Sequence, residues 1–107
     1  MDLLKKKCIP CEGGVNPLKG KLLLPYKKVI PKWNVVKQHH LERTFTFKDF
    51  KSALSFVNKV GAIAEKEGHH PNIDFTWGKV KISVYTHAVN GLSENDFILA
   101  LKIDQIG

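Results

Sequence analysis

EKEGHHPNIDFTWGKVKISVYTH, residues 65–87, is the stretch on which the reading of this chain turns. Its first three residues close a helical pattern, Gly68 is suited to the left-handed residue that ends a helix, and Pro71 forbids continuation. The period then changes to two. Ile73, Phe75 and Trp77 alternate with Asp74 and Thr76; after Gly78-Lys79, Val80, Ile82 and Val84 alternate with Lys81, Ser83 and Tyr85. This predicts a β-hairpin turning near Gly78. His69-His70 precede the hairpin and His87 follows it, 17 residues after His70. Antiparallel pairing brings those ends side by side, where opposed Cβ atoms lie ~5 Å apart.

Working outward, Phe50, Ala53, Leu54, Val57, Val60, Gly61 and Ala64 recur at helical spacing through Glu67. Thr46 followed by Asp49 resembles a capping box, and Gly61 suggests close packing of helix on sheet. Upstream, Trp33–Lys37 and the alternation of Leu41, Arg43, Phe45 and Phe47 predict another hairpin over 33–47, with His39-His40 in a solvated turn. Before it, Asn16-Pro17 reads as the start of a short helix bearing Leu18, Leu22 and Leu23, limited by Gly20 and Pro25. Residues 1–15 read as an extended arm. Downstream, Ser93 as N-cap, Asp96 three residues into the helix, and the Leu92/Phe97 pair predict a helix from about Ser93 to Ile103. The order is αββαββα, an α+β fold with a four-stranded, mainly antiparallel sheet and helices packed on one face, expected as a single domain over 1–107.

Of the 17 basic residues, 12 fall in residues 1–53 beside four acidic ones, while residues 54–107 carry five and six. Arg43 is the sole arginine, and the lysines lack interleaved aromatics, which argues against sequence-reading nucleic-acid binding. The excess reads as a solvated basic surface or as a face for an acidic partner. No apolar run approaches the ~20 residues of a membrane span, and Met1–Lys7 lacks the apolar stretch of a secretory signal, so the expected location is the cytoplasm. Cys8 and Cys11 form one C-x-x-C pair with no second pair to complete a zinc site; free thiols are expected, with a shared or histidine-completed metal site as the alternative.

Three readings of the converging His69, His70 and His87 compete. They could form an open zinc site, although adjacent residues of an extended segment point opposite ways. They could be surface or capping residues. Or they could be a metal-free acid–base set, since imidazole is the side chain that titrates near neutral pH.

The spacing Glu65-x3-His69-His70-Pro71-x5-Trp77-x9-His87-x8-Asp96 resembles the signature of the pterin-4a-carbinolamine dehydratases. Thr86-His87, Gly91-Leu92-Ser93 and the leader Cys8…Cys11-Glu12-Gly13-Gly14 are also similar to that family. The resemblance implies a lyase in tetrahydrobiopterin recycling that removes water from a 4a-hydroxytetrahydropterin to give the quinonoid dihydropterin, with no metal and no cofactor. It implies His69 and His87 as the acid–base pair, His70 as catalytic support, and His69, His70, Pro71, Thr86 and His87 around a reduced pterin. Asp96 would cap its helix and support the rim; Trp77 would pack in the core or an interface. Many relatives carry an acidic residue where Gly68 stands. Strand edges around Trp33–Val36 or Val80–Val84 and the apolar helix side with Phe97, Ala100 and Leu101 are candidate interfaces, and the resemblance implies a homodimer or homotetramer. Some relatives act instead as protein-interaction modules, the non-enzymatic alternative.

Overall fold

The two hairpins join into one sheet. A computed structural model describes residues 2–9 and 16–106, with a 3-10 turn at Leu3–Lys5 and another at Gly20–Leu23. Then follow α1 (Leu24–Val29), β1 (Asn34–Val36), β2 (His40–Thr46), α2 (Phe50–Glu67), β3 (Asn72–Phe75), β4 (Lys79–Val84), a 3-10 turn at His87–Val89, and α3 (Glu94–Asp104). The strands are antiparallel in the order β1-β2-β4-β3, so β1 and β3 are the edges and the helices cover one face.

The alternation in β2 and β4 sets which side is covered. Leu41 pairs with Val84, Arg43 with Ile82 and Phe45 with Val80. Leu41, Val80, Ile82 and Val84 are buried, and each such side chain contributes about 1.5–3 kcal/mol. Arg43 interrupts this apolar row. Its guanidinium lies 4.2 Å from the Phe45 ring centroid and 2.6 Å from Asp104 Oδ1, which also accepts from Trp33 Nε1 at 2.8 Å. One carboxylate on α3 thus satisfies the buried indole and pins the charged member of the row.

The covered face of α2 is Ala53, Phe56, Val60, Ala64 and Glu67, rotated from the expected stripe. Phe56 meets Phe45 and Phe47 at 4.6 and 5.1 Å between ring centroids, which turns that face toward the sheet. Phe50 and Leu54 are left exposed. Gly61 does not mark close packing, since an added Cβ there would meet nothing within 4 Å. The helix is capped by Asp49 itself, whose side chain accepts from Ser52 N–H at 2.7 Å, and not by Thr46.

Other boundaries also differ. Pro25 lies in the first turn of α1 instead of ending the preceding helix, as its missing N–H allows. The β1–β2 turn carries Lys37 and Gln38 at positive φ without glycine, closed by His39 N–H on the Val36 carbonyl at 2.9 Å. Leu3 is buried against the core and Cys8 is buried behind it, so the described part of the arm is docked. Cys11 and Glu12-Gly13-Gly14 lie outside the described residues. The capping box at Ser93 and Asp96 forms as expected, and Leu92 and Phe97 are both buried. Gly91 is required by crowding: a Cβ would sit 2.7 Å from Pro17 Cβ, where Leu18 N–H reaches the Leu92 carbonyl at 2.8 Å.

Candidate active site

The end of α2 fixes where His69 begins. Gly68 takes φ 66°, His69 N–H returns to the Ala64 carbonyl at 3.2 Å, and Gly68 N–H returns to that of Glu65 at 3.3 Å. This pair of bonds is the Schellman arrangement, and it holds the backbone of His69 as the chain turns toward β3. Across the hairpin, β4 ends at Val84. Thr86 and Gly91 then pair as an isolated bridge, and the 3-10 turn from His87 lies between them.

His69 Nε2 lies 2.6 Å from Asp96 Oδ1. The Asp96 side chain is fully buried; its other oxygen accepts from Thr86 Oγ1 and from Ser93 N–H, both at 2.9 Å. Thr86 Oγ1 also lies 2.7 Å from Ser93 Oγ. Because Thr86 gives its one proton to Asp96, the Ser93 hydroxyl donates to Thr86. A buried carboxylate is stable only when so surrounded. A carboxylate accepts only, so His69 carries its proton on Nε2 and keeps Nδ1 as a basic nitrogen.

His70 is exposed and pairs with Glu65 Oε2 at 3.1 Å. His87 is exposed, with Nδ1 3.1 Å from Tyr85 Oη and ring centroids 4.3 Å apart. Gly68, His69, His70, Tyr85, Thr86 and His87 line one cleft of about 310 Å³, together with Ile9, Ala88 and Asn95. The structure therefore gathers the three histidines and Thr86 on one rim. Among the described residues, no three His, Cys, Asp or Glu side chains are grouped to hold a metal ion.

Several wall residues were missed from sequence. Asn95 holds Ile9 from both sides, accepting its N–H at 3.1 Å and donating to its carbonyl at 2.5 Å. Beside it, Glu67 accepts from Cys8 N–H at 2.9 Å and from Lys102 Nζ at 2.8 Å. Burial pushes the Glu67 carboxyl up, but these hydrogen bonds outweigh it and hold the group below the usual carboxylate range. Burial first, and the Glu67 charge second, push the Cys8 thiol up to about 12, which makes it a poor nucleophile. A docked arm has no periodicity to announce it. His39, taken as solvated, has Nε2 3.2 Å from Asn90 Oδ1 and its ring 4.5 Å from Tyr85.

Two expectations are corrected. Trp77 lies at the turn end of the hairpin, away from the histidines, and is 67% exposed, because the strand alternation stops before it; this removes the core half of its expected role and leaves the interface half. Phe97 and Ala100 are fully buried in the chain's own core, and β4 is an inner strand, so none of these offers an interface.

The family model described as pterin 4 alpha carbinolamine dehydratase matches residues 17–106. A protein of Rubrobacter xylanophilus, provisionally named a pterin-4-alpha-carbinolamine dehydratase, is 50% identical over 105 residues, covering 98% of each chain. One of Alkaliphilus metalliredigens with the same provisional name is 50% identical over 97% of this chain and 95% of its own. The crystal structure of a transcriptional coactivator/pterin dehydratase from Brucella melitensis superposes with a TM-score of 0.77 at 30% identity, covering 83% of this chain and 96% of that one. A pterin dehydratase-like protein described as a RuBisCO assembly factor in the alpha-carboxysome reaches 0.59 at 25% identity, over 68% and 86%.

Proposed function

Since the chain belongs to the pterin-4a-carbinolamine dehydratase family, we propose that it dehydrates a 4a-hydroxytetrahydropterin to the quinonoid dihydropterin. The observation that carries this reading is His69 on the buried Asp96 at 2.6 Å, in a cleft shared with His87. Loss of water needs two proton movements. The N5 proton leaves to a base, the N5 electron pair forms the C4a=N5 bond, and the C4a–O bond breaks as the oxygen takes a proton from an acid. The products are the quinonoid ring and water. The reaction is redox-neutral, so neither a cofactor nor a metal is needed for its balance.

His69 is the base. Asp96 keeps its proton on Nε2, leaves Nδ1 to receive the N5 proton, and stabilises the imidazolium that forms, as carboxylate–imidazole pairs do in other acid–base sites. His87 is the acid that protonates the departing hydroxyl. His70, tethered to Glu65, and Pro71 hold the ring. Thr86 lines the cleft and works through Asp96, to which its hydroxyl is committed. We place the protein in the cytoplasm as a homodimer or homotetramer, its edges β1 and β3 and the exposed Phe50 and Leu54 being the surfaces left to cover.

The test is a direct assay with a freshly generated 4a-hydroxytetrahydropterin. Purified protein should accelerate loss of the carbinolamine absorbance over the spontaneous rate and survive exhaustive chelation. No acceleration at micromolar protein would remove the enzymatic reading. The interaction-module reading is favoured by the coactivator and assembly-factor descriptions of the two structural neighbours and by the exposed Trp77 and Phe50.

A further inference from the structure

Tyr85 sits between two histidines. Its hydroxyl is 3.1 Å from His87 Nδ1, with the rings 4.3 Å apart, and the His39 ring lies 4.5 Å from its own. His39 is fixed in turn: Nε2 meets Asn90 Oδ1 at 3.2 Å and Nδ1 meets His40 Nδ1 at 3.1 Å. Asn90 ends the 3-10 turn that His87 begins. The β1–β2 turn, which carries no cleft residue itself, is thereby coupled to His87 both through the tyrosine ring and through the loop backbone.

We propose that Tyr85 is a positioning residue that fixes the tautomer of His87, donating its phenol O–H to Nδ1 so that the neutral imidazole carries its proton on Nε2. The direction follows from the two partners. A phenol oxygen delocalises its lone pair into the ring, which makes the group a strong donor and a weak acceptor, whereas the bare ring nitrogen of imidazole is a strong acceptor. Orientation of a histidine by the bond at its other nitrogen is a general device. The assignment rests on the dehydratase reading for its purpose: His87 delivers its Nε2 proton to the leaving hydroxyl as the phenol proton moves to Nδ1, so the imidazole stays neutral and the Tyr85 oxygen is reprotonated from solvent. His87 is thus the complement of His69, whose proton is held inward by Asp96. His39 packs near the same ring and limits how far it can swing.

The test is long-range proton–nitrogen correlation NMR on uniformly labelled full-length protein, assigned by His87→Gln and recorded with the imidazole neutral. Wild type should show a pyridine-like Nδ1 and a pyrrole-like Nε2, and Tyr85→Phe should shift Nδ1 toward the averaged position of a mixture. In the dehydratase assay Tyr85→Phe, which keeps the ring, should lower kcat by roughly tenfold with KM little changed, less than the ~10²–10⁴ expected for losing the imidazole. Neutral His87 protonated on Nδ1, or identical nitrogen shifts in wild type and Tyr85→Phe, overturns the proposal. So does a shifted tautomer with unchanged kcat. Absence of dehydratase activity in wild type would instead remove the reading it serves, while the nitrogen shifts would still report the Tyr85–His87 bond.

Discussion

On one wall of the cleft, His69 follows a helix cap and rests on a carboxylate with no exposed surface. On the other, exposed His87 begins a 3-10 turn and meets a half-buried tyrosine. The first wall is continuous with the folding core, because Asp96 also caps α3 and holds Thr86. The second leans on turns at the sheet's end. Precision on the His69 side is therefore tied to stability, and precision on the His87 side is not.

Alanine at each histidine gives the largest expected effects. His69→Ala and His87→Ala should each lower turnover by about 10²–10⁴-fold, the usual contribution of a positioned acid or base. Their stabilities should part. His69→Ala leaves buried Asp96 without one donor and should cost about 1–3 kcal/mol. His87→Ala, at an exposed site, should stay within about 0.5 kcal/mol. Turnover and urea denaturation measure both. Retention of activity within threefold in both variants would sink the assigned roles; equal stability losses would break the contrast between the walls.

Asp96→Asn probes the buried wall with little change in volume. The amide presents a donor to one of three groups that already donate, so either His69 or the Thr86–Ser93 pair loses its acceptor. The expected cost is about 1–3 kcal/mol by denaturation. Turnover should fall by about tenfold or more as the His69 proton loses its fixed place. A variant as stable and as active as wild type would show that the network is decorative.

Much of this architecture could be read from the residues. The strong alternation of residues 73–84 and the capping signals at Gly68 and Ser93 fixed the second hairpin and both long helices, because each is local chemistry. The pairing of hairpin ends led to the shared rim. What stayed hidden depends on partners distant in sequence. The stripe of α2 rotated to bury Phe56 against Phe45 of β2 and Phe47 just beyond it, and the arm docked through Asn95 and Glu67. The glycine-free turn at Lys37-Gln38 gave no sign that it would bring His39 to Tyr85. Gly68 has a local role: it supplies the left-handed cap from which His69 emerges.

The pH response should also separate the walls. Glu67 and Cys8 lie on the His69 side. The Glu67 carboxyl is held low, so its contribution is present above its unfolded value and is lost as pH falls through the lower folded one. The Cys8 thiol is held high, so its contribution is present below 9.0 and is lost as pH rises from there toward about 12. Denaturation midpoints should fall at both extremes, with Glu67→Gln flattening the acid limb and Cys8→Ala the alkaline one. If Cys8→Ala loses as much stability as wild type between those two values, the thiol is not the group responsible.

The smallest effects compare two left-handed residues, one beside each histidine. Gly68 at φ 66° leads into His69, and Asn90 at φ 49° closes the turn begun at His87. A Cβ at Gly68 would meet nothing within 4 Å, so Gly68→Ala adds no clash and isolates the backbone cost of a left-handed L-residue, about 1–2 kcal/mol. Asn90→Gly runs the other way. It relieves a conformation that asparagine tolerates, but removes the Oδ1 contact to His39 at 3.2 Å, and these offset each other to within about 0.5 kcal/mol. Gly68→Ala should keep the His69–Asp96 contact and cost stability alone, whereas Asn90→Gly should leave His69 untouched and loosen only the support of Tyr85. If Asn90→Gly destabilises the protein more than Gly68→Ala, then the exposed wall is the structural one, and the division drawn between the two sides of the cleft is reversed.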